Sequence, residues 1–435
     1  MTSNRYSAYL SSLLNFSFLV FLISIVGSFR VISSITIGAI ILFLLLKTRA
    51  ETGKFFHFKK VDAFITGCFL FYLLQVISLL YTDNYREGLR HLEVKSSLLA
   101  IPVIFYCFNY PTRQTSRLLL KQFIFIVFLA SLFCIVIAEK KYLFDKQSSS
   151  VFFYHQLVAL FNQHAVQFSL LVFIAVAWLL HNTKKGYYYV NKYIHFSLAA
   201  YFILVIVLLS SKLVISFTVL YLLYYLGRHL IKARINRRSS IAVFIICIAA
   251  IVLTMVTNNP VSKRFTEIIK GDVSLVRQET FNPAIYFNGL QFRLLQWRFV
   301  SEILNDKNAW ITGVSPGDAQ KAINEKYKSY NMYTGEGSSA TGYLGYNSHN
   351  QFLESVLQTG IIGLASFLLI CSGLIQMAWR TKNSMLPAVI LLLLANAFIE
   401  SVFETQYGLI IYTFFPLFLF RMLTEPGKPV NKPIS

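Results

Sequence analysis

Long stretches without a charged residue constrain this 435-residue chain more than any other feature. A helix needs about 20 mostly apolar residues to cross the hydrocarbon core of a bilayer. Twelve charge-free stretches approach or exceed that length, and they are residues 6–29, 31–46, 63–82, 96–112, 122–138, 147–180, 193–211, 213–227, 239–262, 355–379, 383–399 and 405–420. Backbone in lipid must satisfy its own hydrogen bonds, so such stretches form helices. The sequence therefore predicts an all-α, polytopic integral membrane protein with about 12 transmembrane helices.

The composition agrees with this class. Hydrophobic residues make up 56% of the chain and charged residues only 14%, whereas soluble domains have roughly 25% charged residues. These values exclude a disordered protein, a nucleic-acid-binding tail protein and a disulfide scaffold, so no nucleic-acid partner is expected. The five cysteines lie inside apolar stretches and offer neither an extracytoplasmic disulfide nor a metal-ligand cluster.

The distribution of basic residues predicts the orientation. Twelve spans place both termini on one side; if that side is the cytoplasm, the inner segments carry 22 Lys and Arg and the short outer segments carry 8. Because short cytoplasmic loops are enriched in Lys and Arg, both termini are predicted to be cytoplasmic. Most of the net charge of +21 is then a topology signal whose partners are anionic membrane lipids.

One outer segment is much longer than the others. It divides the chain into helices 1–9 (residues 1–257), a large periplasmic loop with amphipathic helices (residues 258–350), and helices 10–12 with a cytoplasmic tail (residues 351–435). Within the loop, apolar side chains recur at helical spacing at Phe292, Leu295, Phe299 and Ile303. We expect this amphipathic helix to lie along the membrane surface, with Arg293 and Trp297 on its other side.

A histidine follows directly where the loop meets the next apolar stretch. Ser348 and Gln351 have the spacing of a capping box, which places His349 in the first turn of a spanning helix. A helix N-terminus disfavours added positive charge, so His349 is expected to accept a proton near pH 7, and the same helix end favours a phosphate. The alternative is a capping or interfacial histidine without chemistry.

These residues resemble a known family. The segments 349–354 (His-Asn-Gln-Phe-Leu-Glu) and 358–364 (Gln-Thr-Gly-Ile-Ile-Gly-Leu) are similar to the signature of the O-antigen ligase and O-antigen polymerase superfamily. The Arg/Trp helix and the glycine turn at Gly313 and Gly317 precede them, as in that family. Weaker matches are Ser210-Ser211-Lys212, the acidic segment 400–408, and His164 before an earlier span.

The resemblance implies a GT-C-like glycosyltransferase of lipopolysaccharide biosynthesis in a bacterial inner membrane. Such an enzyme transfers a glycan from an undecaprenyl-diphosphate carrier to a hydroxyl acceptor on the periplasmic face, with inversion and without metal or other cofactor. Ligases use a sugar of lipid A–core as the acceptor. Polymerases use another carrier-linked glycan. The sequence does not separate the two activities, and we lean only slightly to ligase.

The resemblance also implies roles for single residues. His349 is the candidate general base, and Arg293 is the first candidate for binding the diphosphate. Lys212 is the second candidate, although a lysine lacks the bidentate fork of the family's arginine. Arg298 is a substitute for Arg293. Candidates for orienting the substrate are Asn350, Glu400, Glu404 and His164.

Two further interpretations accompany these roles. Glu400 and Glu404 are four residues apart, which predicts that they share one helix face, and pairing with loop arginines is favoured over catalysis. A polysaccharide or lipid exporter without chemistry also fits twelve spans. The loop histidine and the basic amphipathic helix argue against it, because transport sites lie near the midplane in broken helices.

Overall fold

The computed structural model describes residues 2–183, 189–232, 266, 272–335 and 342–424. Within these residues the secondary structure is helical, with short 3-10 turns and no strand, which confirms the all-α prediction for the described part of the chain. The helices are α1 (Thr2–Val26), α2 (Arg30–Thr52), α3 (Ala63–Ser78), α4 (Tyr85–Lys95), α5 (Ser97–Tyr106), α6 (Arg113–Leu143), α7 (Tyr154–Leu157), α8 (Ala165–Thr183), α9 (Lys192–Leu208), α10 (Lys212–Lys232), α11 (Gly289–Asp306), α12 (Pro316–Ser329), α13 (Gln351–Arg380), α14 (Met385–Ala397) and α15 (Gln406–Thr424).

Several helices have the length and composition of membrane spans. Among the described residues six are long and apolar enough to cross a bilayer, namely α1, α2, α6, α8, α13 and α15, and three shorter apolar helices are α3, α9 and α14. The protein is therefore a membrane protein with multiple apolar helices. The expected span 239–262 lies outside the described residues, so the number of twelve stays a prediction.

Two expected spans differ from the helices that form. In the stretch 96–112 only Ser97–Tyr106 is helical, and it follows the polar helix α4 after a single residue. In the stretch 147–180 the long helix begins at Ala165, and the residues before it form short turns. That earlier part contains Asn162 and Gln163, polar residues that would find no hydrogen-bond partners in lipid and that here line a cavity of the protein.

The helices alternate in direction between two ends of the molecule. At one end, here called the inner end, Tyr106 donates its hydroxyl hydrogen to Asp62 at 2.6 Å, and Arg421 donates to the Phe108 and Tyr110 carbonyls at 2.8 Å each. The outer end holds the α1–α2, α3–α4 and α14–α15 connections together with the long loop. Which end faces the cytoplasm stays a prediction.

The apolar face of α11, the amphipathic helix of the loop, is buried in protein. The expectation that it lies along the membrane surface is therefore wrong. The predicted apolar positions Phe292, Leu295, Phe299 and Ile303 are at most 9% exposed and belong to a second apolar core, which includes Tyr327 of α12 and Leu357 of α13. Burying an apolar side chain of this size stabilises a fold by roughly 1.5–3 kcal/mol. The loop helices therefore form a unit packed on the outer turns of α13.

A break in α13 fastens this unit to the spanning helices. Thr359 and Gly360 leave the helical conformation, and Gly360 has φ +68°, which favours glycine. The loop turn docks there, because Val314 N–H donates to the Leu357 carbonyl at 2.8 Å and Ile361 N–H donates to the Trp310 carbonyl at 2.8 Å. A Cβ atom on Gly360 would clash with the backbone oxygen of Ile311 in the turn. The Thr-Gly-x-x-Gly segment is thus a docking point.

A carboxylate forms the second attachment of the loop. Asp318, in the first turn of α12, accepts hydrogen bonds from the Thr82 hydroxyl at 2.9 Å, Asp83 N–H at 2.9 Å and Asn84 N–H at 3.2 Å. Burial opposes its ionisation, but these bonds and one from Ser315 outweigh burial and lower the pKa of Asp318. The α3–α4 connection and the loop are therefore held together at the outer end.

Candidate functional site

A polar cavity of about 240 Å³ lies at the outer end. Its walls come from the start of α2, the segment before α8, the end of the loop and the segment between α14 and α15. The lining includes Arg30, His164, Asn347, His349 and Glu400. Ligand pockets usually begin at roughly 300 Å³. This cavity therefore suits the reacting groups of a larger substrate rather than a whole glycan.

His349 lies just outside helix α13 rather than in its first turn. The N-cap residue is Asn350, whose side chain accepts hydrogen bonds from Phe352 N–H at 2.9 Å and Leu353 N–H at 3.1 Å. His349 has φ +46°, a conformation that helix residues do not adopt. The prediction that His349 lies in the first turn of α13 is therefore wrong. His349 directly precedes the N-cap residue and still lies beside the helix N-terminus.

The predicted capping box is also wrong. Ser348 donates its hydroxyl hydrogen to Glu354 Oε2 at 2.6 Å, so this side chain does not cap the helix. Gln351 Oε1 accepts from Phe403 N–H at 2.7 Å. Serine and asparagine are comparable N-caps. The Ser348 hydroxyl donates to the buried carboxylate of Glu354, so Asn350 caps the helix instead.

A carboxylate joins the histidine to an arginine. Glu400 Oε2 lies 3.0 Å from His349 Nδ1, and Glu400 Oε1 lies 2.9 Å from a terminal nitrogen of Arg293. Arg293 also donates to the Ile399 and Gly289 carbonyls, at 2.9 Å each. The guanidinium thereby fixes the position of Glu400, and Glu400 fixes the imidazole ring.

The charge of Glu400 determines which histidine nitrogen carries a proton. Burial alone would raise the pKa of Glu400, but the hydrogen bond and charge of His349 together with the charge of Arg293 lower it to about 2. An ionised carboxylate only accepts hydrogen bonds, so we assign the proton of neutral His349 to Nδ1. The lone pair then lies on Nε2, and the ring is 20% exposed where it lines the cavity. This is the arrangement of a general base oriented by a carboxylate.

A buried network holds the backbone beneath the histidine. Glu354 Oε2 accepts from both Ser348 N–H at 3.2 Å and the Ser348 hydroxyl, and Glu354 Oε1 accepts from Gln358 at 2.8 Å. Gln358 accepts in turn from Lys95 Nζ at 2.9 Å, a side chain that is fully buried. Each hydrogen bond of this network joins a donor to an acceptor. It therefore fixes the residue that immediately precedes His349.

Glu400 and Glu404 do not share a helix face, so that prediction is wrong. They lie in the connection between α14 and α15, where only a short 3-10 turn, Val402–Glu404, forms. Glu404 lies 3.2 Å from Lys95 Nζ and 3.1 Å from His91 Nδ1. Burial opposes ionisation of Glu404, but the charges of Lys95 and His91 outweigh it and lower its pKa. Glu404 therefore belongs to the network, not to the cavity.

The remaining predicted residues are placed as follows. His164 lines the cavity, and its ring centroid lies 4.4 Å from that of His155, because short turns rather than one helix join them. Arg298 donates to Glu302 at 2.7 Å and to the Val276 carbonyl at 2.8 Å, within the loop unit. Lys212 is the half-buried first residue of α10 and is not among the residues that line this cavity.

Several polar residues of the cavity were missed from the sequence, and Arg30 and Asn347 are two of them. Arg30 lines the cavity, with its guanidinium 5.9 Å from the centroid of the Tyr407 ring. Asn347 lines it as well and accepts from His349 N–H at 3.1 Å. Arg30 has a visible signal, a single cation between the first two apolar stretches, which the charge count treats as a matter of topology alone.

Comparison with known proteins supports the resemblance. Residues 196–368 match the family model described as O-antigen ligase. The matched region contains Lys212, Arg293 and His349, while Arg30 and Glu400 lie outside it. No curated protein matches the chain. The expected resemblance to the O-antigen ligase and polymerase superfamily is thus confirmed.

Proposed function

We propose that this protein, similar over residues 196–368 to O-antigen ligases, transfers a glycan from undecaprenyl diphosphate to a hydroxyl of lipid A–core. The proposed location is the periplasmic face of a bacterial inner membrane. The observation that carries the proposal is the pair of His349 and Glu400, 3.0 Å apart, opening on a polar cavity at the ends of apolar helices. A carrier lipid lying in a bilayer would present its head group at that level.

The proposed chemistry is a direct displacement. The acceptor hydroxyl gives its proton to Nε2 of His349 while its oxygen bonds to the anomeric carbon of the donor. The bond from that carbon to the diphosphate oxygen breaks, and the electron pair leaves with the diphosphate. Attack opposite the leaving group inverts the anomeric centre. Glu400 stabilises the imidazolium that forms.

Positive charge is the second requirement, because a lipid diphosphate is a good leaving group that needs charge stabilisation more than protonation. We propose Arg293 for this role and keep Lys212 as the second candidate, although neither is among the residues that line the cavity. The contacts of Arg293 support a second role as well, since each of its three nitrogens donates to a protein acceptor. One N–H on each terminal nitrogen remains for a phosphate oxygen. Arg293 would thus position Glu400 and add charge near the leaving group.

The test is transfer by the full chain in proteoliposomes, with a synthetic undecaprenyl-diphosphate glycan and a choice of acceptors. His349→Ala should lower the transfer rate by roughly 10²–10⁴-fold, the usual effect of losing a general base. His57→Ala is the matched control, because His57 lies at the inner end, where its backbone N–H donates to the Cys107 carbonyl. Full transfer by His349→Ala would show that His349 is not the base.

The choice of acceptor separates the related activities. Transfer to lipid A–core identifies a ligase, and a ladder of longer carrier-linked glycans identifies a polymerase. Movement of the intact lipid-linked glycan across the bilayer, without transfer to either acceptor, would identify an exporter and refute the proposal. Transfer should be unchanged in a chelator; a loss that zinc or magnesium restores would contradict the metal-independent displacement.

A further inference from the structure

A second hollow of the molecule lies beside the polar cavity and has the opposite character. It is a groove of about 950 Å³ between α1 and α6, and its lining is predominantly apolar. On α6 the lining runs from Lys121 to Val136, which is about 22 Å at the helical rise. The groove therefore follows a large part of a hydrocarbon core roughly 30 Å thick.

We propose that this groove holds the hydrocarbon tail of the lipid-linked donor, and that Arg30 at its outer mouth binds the donor's diphosphate. The inference rests on the proposed function, since it assigns positions to the tail and head of that donor. It adds a cation from α2 to those named above. It also selects α1 and α6 as the helices that the carrier contacts.

The close neighbourhood of the two hollows is the first argument. In the turn from α1 to α2, Gly27 and Phe29 line the groove, whereas Ser28 and Arg30 line the polar cavity. The segment before α8 repeats the pattern, because Phe161 lines the groove and residues 162–164 line the cavity. Two short segments thus separate the apolar from the polar hollow. A single ligand with an apolar tail and a polar head would fit both.

Charge at the mouth is the second argument. Arg30 is exposed and is the first residue of α2, a helix of 23 residues. Among the described residues the N-cap Phe29 makes no side-chain hydrogen bond to the first turn of this helix. The helix end and the guanidinium together favour an anion there. The anion of a carrier lipid sits at the junction of tail and head, as Arg30 does.

Exposed apolar side chains form the wall of the groove. Phe125, Leu129 and Phe133 recur every four residues on α6 and are 51%, 47% and 51% exposed, and Ile23 of α1 is 42% exposed opposite them. Ordinary bilayer lipid would also cover such side chains. A specific occupant must therefore be distinguished from bulk phospholipid by competition.

The test measures binding to the full chain in nanodiscs, with undecaprenyl diphosphate, geranyl diphosphate and undecaprenol as the three probes. Leu129→Trp, which fills the groove, should lower the affinity for undecaprenyl diphosphate about tenfold, the effect of leaving roughly two methylenes unburied. The affinity for geranyl diphosphate, whose tail is short, should not change. Leu42→Trp is the matched control, because Leu42 is 53% exposed on α2 and is not part of the groove lining. Phe125→Ala should act like Leu129→Trp without adding bulk.

The head group is tested separately. Arg30→Gln should lower the affinity for both diphosphates about tenfold, because one charge-assisted contact is lost, and should leave the affinity for undecaprenol unchanged. Arg86→Gln is the control, because Arg86 is also exposed at the outer end but is not part of the cavity lining. Equal binding of both diphosphates by Arg30→Gln and Arg86→Gln would remove Arg30 from the site.

Competition decides the identity of the occupant. A photoreactive undecaprenyl diphosphate should label α6, and unlabelled carrier should compete far better than phosphatidylglycerol. Equal competition by both lipids, or equal affinity of Leu129→Trp and Leu42→Trp for the carrier, would overturn the inference. Glycan transfer by the same variants separates the two proposals. If the wild-type protein binds the carrier in the groove but transfers no glycan, the proposed function is refuted and the groove site stands. If Leu129→Trp transfers glycan at the normal rate, the groove site is refuted and the proposed function stands.

Discussion

Glu400→Gln tests the proposed mechanism most directly, because it removes one charge and keeps the shape of the side chain. Glutamine can still accept a hydrogen bond from His349 Nδ1, but it no longer stabilises the imidazolium that forms in the transition state. The rate of the chemical step should fall. The KM for the lipid donor should change little, because the charge acts mainly after proton transfer begins.

The magnitude follows from the geometry. Glu400 Oε2 and His349 Nδ1 are 3.0 Å apart, so the delocalised charges are about 4 Å apart and interact by about 4 kcal/mol at an effective dielectric constant near 20. The two side chains are 18% and 20% exposed, and solvent screening reduces this value to about half. A loss of about 2 kcal/mol corresponds to a rate about 30-fold lower.

Single-turnover transfer in proteoliposomes is the suitable assay, with rates normalised to folded protein. Glu302→Gln is the matched control, because Glu302 is also an ion-paired carboxylate, 24% exposed, but it pairs with Arg298 and Lys326 inside the loop unit. The double variant of Glu400→Gln with His349→Ala should be no slower than His349→Ala alone, since the carboxylate acts through the histidine.

Two results would refute this reasoning. Transfer by Glu400→Gln at the wild-type rate would show that the carboxylate does not support the base. An equal loss in Glu302→Gln would show that any ion pair of the outer end has the same effect. A further loss in the double variant would give Glu400 a role of its own.

The remaining predictions concern stability and are measured as thermal unfolding midpoints of detergent-solubilised protein. The pKa of Glu400 is lowered to about 2 from an ordinary 4.5, so its ionised form stabilises the fold above pH 4.5, and this stabilisation is lost as the pH falls toward 2. The difference in midpoint between wild type and Glu400→Gln should therefore shrink over that window, and a constant difference would contradict the prediction. Gly360→Ala should destabilise more than Gly345→Ala, because both residues have positive φ but only at Gly360 would a Cβ meet backbone; equal midpoints would deny the docking role of the break. Glu354→Gln should lower the free energy of unfolding by roughly 1–3 kcal/mol. Both carboxylate oxygens accept hydrogen bonds, and the NH2 group of a glutamine would face one of these donors instead of accepting from it. An unchanged midpoint would show that the network tolerates the amide.

The apolar helices were predictable because their signal is local. A stretch without charge forms a helix wherever lipid surrounds it, so α1, α2, α6 and α13 appear where the sequence predicts them. The same rule fails at residues 147–164, where short turns precede α8 and residues 162–164 line the polar cavity. Hydropathy contains no information about that cavity.

The candidate site was predictable only in part. His349 and Arg293 stand out because a histidine at a helix start and an amphipathic basic helix are visible in one segment. The contact between Glu400 and His349 joins residues 51 positions apart, and no local pattern predicts it. Arg30 was missed for the same reason, since only the fold brings the start of α2 to the cavity.

The capping error shows how tertiary contacts decide between equal local choices. Both Ser348 and Asn350 suit the first position of a helix, and propensity alone does not separate them. Glu354, buried below both, accepts from the serine and so leaves the asparagine to cap α13. The histidine is shifted out of the helix as a consequence.

The walls of the cavity have a consequence for the order of synthesis and assembly. Arg30 belongs to the first hairpin that a ribosome would release, whereas Glu400 and Tyr407 follow more than 300 residues later. The bond from Gln406 to the Ser34 hydroxyl, 2.8 Å long, joins the same two regions. A growing chain therefore has no complete cavity until its last helices have entered the membrane. Under the proposed function, a chain without its last helices would therefore transfer no glycan.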